Sequence, residues 1–382
     1  MLLLTTPAAA GVVLFVPGSD QVSSVGVLDI TEDQHGDMYF ATDNGLSHFD
    51  GADWQITHMT YGKPGSGLLN DHVLALEFDA GGHLWLGFPD GLQWLEDGRY
   101  VTNRDQQLFK SLDIHELLAA GGRMWVAAGT AGLHRYDDGS WEWFQPGGPG
   151  NLGCTYVSSM AIEASGRAIY VACREGIWTT PNTDEPVSFT PLPGGELVTE
   201  PLLRIRSDPF GGLYVFNTST VLHFSPPDQW RTVVTSPLLT PGIDIADLRV
   251  DAERTLWIAT NNGIYAWRDG KVRDHLDTGR GIGNNAVKTV YVDSQDRLWF
   301  VTPENVGYYT IPRRSIPGSA IAITTYPVPP YVTPPTPPEE SPRITPSVSF
   351  QVIPGTTVPQ ATGPLDGILD ALLAFFRGLL SR

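Results

Sequence analysis

A motif of about 40–50 residues recurs seven times along this 382-residue chain and limits the folds that it can adopt. Each copy has a short apolar strand, an acidic or glycine-containing turn, a strand with a central aromatic residue, a second turn and a third apolar strand. The recurring aromatic residues are Tyr39, Trp85, Trp125, Tyr170, Tyr214, Trp257 and Trp299. This period is typical of β-propeller blades, and seven is a usual number of blades.

The turns within the copies predict a fourth strand in each blade. An Asp-Gly pair follows the third apolar segment at 50–51, 97–98, 138–139 and 269–270. Asp-Gly between apolar strands indicates a hairpin, because glycine readily adopts the positive φ that such a turn needs. The sequence therefore predicts an all-β fold over residues 12–311, a seven-bladed β-propeller of four-stranded antiparallel blades.

The seventh copy lacks a fourth strand of its own, because a proline and two arginines follow Gly307–Ile311. We expect the apolar segment Val12–Val16 to close the last blade and leave no open edge at the ring seam. Residues 1–11 are then a leader or the start of the chain. The alternative makes Val12–Val16 the end of a signal-sequence apolar region and Ser319–Thr325 the closing strand.

The segment after the propeller changes composition twice. Residues 312–364 contain 14 prolines and predict an extended, semi-rigid linker. Residues 365–382 predict a short amphipathic helix, with a narrow polar stripe and apolar residues on all other sides. Such a helix could lie in a membrane interface, associate with copies of itself or dock onto a partner. The alternative is packing against the propeller.

The repeat pattern resembles the two-component regulator propeller repeat. The clearest copy runs from Asp251 to Tyr265, with Leu256-Trp257-Ile258-Ala259-Thr260-Asn261-Asn262-Gly263-Ile264 at its centre. The resemblance covers about residues 12–311 and implies the extracytoplasmic sensing part of large membrane histidine kinases. Nothing that resembles a kinase, receiver or DNA-binding domain follows, so the resemblance does not imply phosphotransfer. The repeat is also similar to the streptogramin lyase propeller, which would imply a metal and a histidine on one face.

Charge and motif content exclude several classes of function. A formal net charge of −18 argues against a nucleic-acid partner, which needs clustered Lys and Arg. Nine scattered histidines form no metal-binding motif, and the chain has no nucleophile elbow or phosphate loop. We therefore expect no catalytic residue, metal or cofactor. The acids that recur after the first strand are expected to cap the following turn: Asp33, Asp79, Asp208, Asp251 and Asp293.

The two cysteines fall in one blade. Cys154 precedes its first strand, and Cys173 ends its second strand, where Thr42, Thr260 and Thr302 stand in other copies. Because the two strands are antiparallel, both residues belong to the same end of the blade. A disulfide in an oxidising compartment and a pair of packed free thiols are both consistent with this placement.

A ligand site is expected around the mouth of the central channel, where the second turns and the connections between blades emerge. The polar candidates in the second turns are Asp43, Asn44, Asp90, Arg174, Glu175, Asn261, Asn262, Glu304 and Asn305. Solvated turns without a ligand have the same composition.

Together these features predict a non-catalytic, sensor-like propeller that binds a protein, glycan or small molecule on one face, outside the cytoplasm and tethered by its tail. Its expected location is extracellular or at the cell surface, with the terminal helix as a candidate membrane attachment; a cytoplasmic location stays open. The alternatives are a lyase-type enzyme with a metal on one face and a structural subunit of a surface assembly.

Overall fold

The computed structural model describes residues 11–312, apart from 19, 61–65, 103–108, 110–111, 183–185 and 196–202. Most of the predicted leader, the proline-rich linker beyond Pro312, the segment Ser319–Thr325 and the terminal helix lie outside the described residues. Within them, the strands form seven four-stranded antiparallel sheets, each one blade of a propeller. The predicted fold class is therefore confirmed.

The blades follow one another along the chain, and four strands in sequence order build each of the first six. Blades 1 to 3 consist of β2 Val27–Glu32, β3 Met38–Thr42, β4 Gly45–Phe49 and β5 Trp54–Thr57; β6 Ala75–Phe78, β7 Leu84–Phe88, β8 Gly91–Glu96 and β9 Arg99–Thr102; β10 Ile114–Ala120, β11 Arg123–Ala128, β12 Leu133–Asp137 and β13 Ser140–Phe144. Blades 4 to 6 consist of β14 Val157–Ile162, β15 Ala168–Cys173, β16 Gly176–Pro181 and β17 Thr190–Pro191; β18 Arg204–Ser207, β19 Leu213–Phe216, β20 Thr220–Ser225 and β21 Gln229–Thr235; β22 Ile245–Val250, β23 Leu256–Thr260, β24 Gly263–Arg268 and β25 Lys271–Leu276.

Blade 7 combines the two ends of the repeat region. Its strands are β26 Thr289–Val292, β27 Arg297–Val301, β28 Val306–Thr310 and, on the outside, β1 Val12–Phe15. Val12 pairs with Tyr309 and Phe15 pairs with Val306. The strand β1 thus occupies the position in which the sequence analysis placed Val12–Val16, and the blade has four strands.

Short helices interrupt the connections. One α-helical turn spans Ser236–Leu239, and 3-10 turns span Gly129–Ala131, Pro149–Asn151 and Thr278–Arg280. Within the described part of the chain, no helix has both the length and the apolar character needed to cross a membrane.

Seven apolar clusters hold the ring together, and each one joins two neighbouring blades. The second strands supply most of the large side chains; all five residues of Leu84–Phe88, for example, are buried. At the ring seam, Trp299 of blade 7 packs edge-on against Phe40 of blade 1, with ring centroids 5.3 Å apart. The clusters therefore continue from blade 7 back to blade 1 and close the ring.

The predicted capping role of the recurring acids is confirmed. In blade 6, Asp251 Oδ1 accepts the backbone N–H groups of Glu253 and Thr255 at 2.9 and 2.8 Å. The other carboxylate oxygen accepts the indole N–H of Trp257 at 2.9 Å, a contact that the sequence analysis missed. The same bond joins Asp79 to Trp85 and Asp293 to Trp299. These three acids therefore connect their turns to the recurring tryptophan of the same blade.

Candidate functional site

The first strands of the seven blades surround a central channel that contains a cavity of about 580 Å³. One layer of residues on these strands pairs with the recurring aromatic residues; Glu77, for instance, pairs with Trp85, and Arg206 pairs with Tyr214. We call this the lower layer: Thr31, Glu77, Leu118, Ala161, Arg206, Arg249 and Tyr291. The upper layer lies two residues earlier in each strand: Asp29, Ala75, Glu116, Ser159, Arg204, Asp247 and Thr289.

Three carboxylates of the upper layer reach from their own blade to the next. Each accepts a hydrogen bond from a backbone N–H on the first strand of the following blade: Asp29 from Leu76 at 2.9 Å, Glu116 from Met160 at 3.0 Å and Asp247 from Val290 at 3.4 Å. These side chains occupy equivalent positions in blades 1, 3 and 6. They therefore fix the spacing of the channel wall as well as its charge.

Asp247 is fully buried beside two guanidinium groups. Its Oδ1 atom lies 3.2 Å from a guanidinium nitrogen of Arg206 and 3.2 Å from one of Arg249. Burial alone raises the pKa of this carboxyl, but the two arginines outweigh it and lower the pKa to about 2. Asp247 is therefore ionised at neutral pH and offsets part of the positive charge around it.

The acids of blades 1 to 3 have no such counterpart. Among the described residues, Asp29, Glu77 and Glu116 take part in no ion pair with a basic side chain. The pKa of Asp29 is raised to about 6, mainly by burial; the hydrogen bond from Leu76 opposes the rise, and the nearby Glu116 carboxylate adds to it. Burial, followed by the charges of Asp29 and Glu116, raises the pKa of Glu77 to about 8.

Charge is consequently divided across the channel. We call Asp29, Glu77 and Glu116 the acidic half, since all three line the cavity from blades 1 to 3. The basic half lines the cavity from blades 5 to 7 and consists of Arg204, Arg206, Arg249 and Lys288. The hydroxyl-bearing residues Tyr291 and Ser159 also line the cavity.

The residues predicted around the channel mouth lie in the turns between second and third strands, at the end of the ring where the blade connections emerge. Most of them bond to the connection that enters their own blade: Asn44 to Ser23, Asp90 to Asn70, Glu175 to Thr155, Asn261 to Asp244 and Glu304 to Asn284. Asp43 donates its backbone N–H to Gly26, and Asn262 donates to the hydroxyl of Tyr265. Arg174 is exposed and Asn305 is buried.

All nine predicted residues are described, and none of them lines the 580 Å³ cavity. The structure thus places them at one end of the ring without gathering them into one pocket. Their role in ligand binding stays a prediction. The charged first-strand residues that do line the cavity were not among the candidates of the sequence analysis.

A second cavity, of about 520 Å³, lies between blades 1 and 2 near the turns that join first and second strands. His35, Tyr39, His83 and Asp97 contribute to its wall. The ring nitrogen Nδ1 of His83 lies 3.0 Å from Asp79, the acid that also caps its turn. Asp79 and His83 are therefore engaged in the structure of this turn.

The two cysteines form a disulfide in the structure, with Cys154 and Cys173 separated by 19 residues. Both side chains are fully buried. In other blades the hydroxyl group at the position of Cys173 donates to the carbonyl that closes the turn, as Thr260 does to Gly263 at 2.8 Å. Across the described residues, no three His, Cys, Asp or Glu side chains come together in a way that could hold a metal ion.

Comparison with known proteins yields structural matches only. No family model matches the sequence, and no curated protein matches it. The extracellular domain of a protein described as the hybrid two-component system BT4673 from B. thetaiotaomicron matches with 17% identity and a TM-score of 0.64, covering 80% of this chain and 40% of that one. The corresponding domain of BT3049 from the same organism matches with 19% identity and a TM-score of 0.62, covering 76% and 41%.

The chain shares the fold of these propellers. It spans about 40% of the length of these first matches. Virginiamycin B lyase from Staphylococcus aureus has the same fold, with 13% identity, a TM-score of 0.58 and coverage of 79% of this chain and 100% of that one. Because propellers of different function match almost equally well, the fold does not decide the function, and the site must be argued from its own residues.

Proposed function

We propose that this chain is a non-catalytic recognition propeller that acts outside the cytoplasm, in the manner of a sensor, and that it binds its ligand in the central channel. The observation that carries the proposal is the charge-lined cavity of about 580 Å³, a volume within the range of small-molecule sites. Charged side chains placed in a cavity of this kind can orient a polar ligand.

The rigidity of the wall favours binding. Asp29 and Glu116 are held by backbone N–H groups of the neighbouring blades, and Asp247 is held by two arginines. A ligand that enters therefore meets charges that are already in position, which lowers the entropic cost of ordering the site.

Two further observations support a location outside the cytoplasm. The first structural matches are described as extracellular domains. The disulfide between Cys154 and Cys173 suits an oxidising compartment. Protease added to intact cells should then degrade the protein, and complete protection in intact but not in lysed cells would contradict this part of the proposal.

The role that we propose for the tail rests on its sequence alone. Residues 312–364 would act as a spacer, and residues 365–382 would attach the propeller to a membrane interface or to an assembly. A variant that lacks residues 365–382 should lose membrane association or its oligomeric mass. If both the mass in solution and the membrane fraction are unchanged, the tail has neither role.

A substitution that narrows the channel tests the ligand site. Leu28 lines the cavity, yet 48% of its side chain is exposed, so Leu28→Trp should narrow the channel without disturbing the core. Val272→Trp is a matched control on the outermost strand of blade 6. Native mass spectrometry of the full chain after exposure to an extract of the native cell envelope should show a retained small molecule.

The retained molecule should be present on the unmodified chain and on Val272→Trp, and absent from Leu28→Trp. Retention that is equal in all three proteins would contradict a channel site. A folded, unmodified chain that retains nothing from the extract would also count against the proposal.

A further inference from the structure

The two halves of the channel face one another at the same depth. Glu77 and Arg206 both belong to the lower layer, because each pairs with the recurring aromatic residue of its own blade. Blades 2 and 5 are three positions apart in a ring of seven, so their first strands stand on nearly opposite sides of the channel. A carboxyl group and a guanidinium therefore enter one cavity from opposite walls.

Ion pairs neutralise neither half fully, although the charge of Arg206 acts across the channel on Asp29 and Glu116. Asp247 offsets part of the charge of Arg206 and Arg249, but Arg204 and Lys288 add further positive charge to the same half. Arg204 donates to the backbone carbonyl of Ala246 at 2.9 Å, and its charge is a further influence that lowers the pKa of Asp247. The basic half thus carries an excess of positive charge, and the acidic half has no ion-paired carboxyl among the described residues.

We infer that the channel takes a zwitterionic ligand of the size of a short peptide, with its ammonium group against the acidic half and its carboxylate against the basic half. This inference rests on the proposed function and specifies the ligand class of the same site. A ligand with both charges satisfies both walls at once, whereas a ligand with one charge leaves the opposite wall unmatched.

The proton on Glu77 is consistent with this assignment. The pKa of about 8 keeps Glu77 largely protonated at neutral pH while the channel is empty, because burial and the carboxylates of Asp29 and Glu116 disfavour its charge. Arg206, Arg249 and the Tyr291 hydroxyl face it from the other blades. An ammonium group beside Glu77 would favour the carboxylate, so binding should release a proton.

The test uses the full chain and a panel of unblocked dipeptides, followed by N-acetylated and C-amidated forms of the tightest binder. Calorimetry should show that blocking either end weakens binding by about tenfold or more. Equal affinity for the free and the N-acetylated forms would overturn the inference, and so would the absence of binding by every dipeptide at ~1 mM.

Two variants assign the ends of the ligand. Glu77→Gln should reduce the preference for a free ammonium group and keep the preference for a free carboxylate, and Lys288→Gln should have the reverse effect. Glu96→Gln, exposed at the end of the third strand of blade 2 and outside the cavity, is the matched control and should leave both preferences unchanged. If Glu304→Gln, at the channel mouth, weakens binding and the two channel variants do not, the ligand lies at the mouth and the inference is wrong.

The same titrations separate this inference from the proposed function. Suppose that the protein binds a neutral sugar, or binds a blocked peptide as tightly as the free one, and that Leu28→Trp loses this binding. The ligand would then not be a zwitterion, but the channel would still be the binding site. Binding that Leu28→Trp leaves unchanged would overturn both.

Discussion

The carboxylate of Asp247 in blade 6 lies 3.2 Å from the guanidinium of Arg206 in blade 5. Its second oxygen accepts the hydroxyl of Thr289 in blade 7 at 2.6 Å. One buried side chain thus connects three consecutive blades at the channel wall. The stability of the ring and the charge of the channel therefore depend on the same residue.

Asp247→Asn should lower the free energy of unfolding at pH 7 by about 3 kcal/mol, because Arg206 and Arg249 lose their buried counter-charge. The lowered pKa fixes the pH dependence: the contribution is complete above the ordinary value of 3.8 and is lost as pH falls toward 2. Urea denaturation at pH 7 and pH 3 measures this. Equal stabilities of the variant and the unmodified protein at pH 7 would contradict it.

Glu77→Gln should stabilise the folded protein at high pH. The pKa of Glu77 rises from 4.5 to about 8 on folding, so the folded state binds a proton more tightly, and stability falls as pH rises through this window. Between pH 6 and pH 9 the free energy of unfolding of the unmodified protein should fall by about 2 kcal/mol relative to that of the variant. This value includes a reduction for the screening of the Glu77 charge by water in the cavity. The pKa of Asp29 is also raised, to about 6, but Asp29 is present in both proteins, so the difference between them reports Glu77. Parallel stability curves for the two proteins would rule out this role of Glu77.

Asp251→Ala should destabilise the protein by about 3 kcal/mol, since two backbone N–H groups and the indole N–H of Trp257 lose their acceptor. Trp257 is buried, so its fluorescence should shift as well. Asp228→Ala, in an exposed turn, is the control and should change stability by no more than about 0.5 kcal/mol. Chemical unfolding of both variants measures the difference, and similar losses in the two would contradict the capping role.

Replacement of Cys154 and Cys173 by alanine should lower stability by about 3 kcal/mol, the loop-entropy contribution for a separation of 19 residues. The unfolded protein should show no free thiol before reduction and two afterwards. Two reactive thiols without reductant would show that the cysteines are free. The backbone amides of blade 4 should lose the most protection from hydrogen exchange, which exchange rates in Val157–Ile162 would reveal.

The fold could be predicted because its signals are local and repeated. The spacing of aromatic residues such as Trp257 marks one second strand per blade, and Asp-Gly turns mark the hairpins that follow. The absence of a fourth strand after Gly307–Ile311 drew attention to Val12–Val16, since a ring needs each edge to be paired. The indole bonds of the recurring acids were missed, although the fixed six-residue offset between Asp251 and Trp257 is visible in the sequence.

The channel site could not be predicted in the same way. Glu77 and Arg206 are far apart in the sequence, and only the closed ring brings their strands to opposite sides of one cavity. Irregular pairing also intervenes: the register shifts between Val27 and Asp29 and between Ile245 and Asp247. Such bulges redirect side chains, so simple alternation does not give the residues that face the channel. Polarity alone therefore favoured the turns at the channel mouth.

The most direct test of the account is a crystal structure of the full chain soaked with the tightest-binding dipeptide. The account predicts ligand density in the central channel, with the ammonium end toward Glu77 and the carboxylate end toward Arg206 and Lys288. Density at the mouth, against residues such as Asn261 and Glu304, with an empty channel would contradict it.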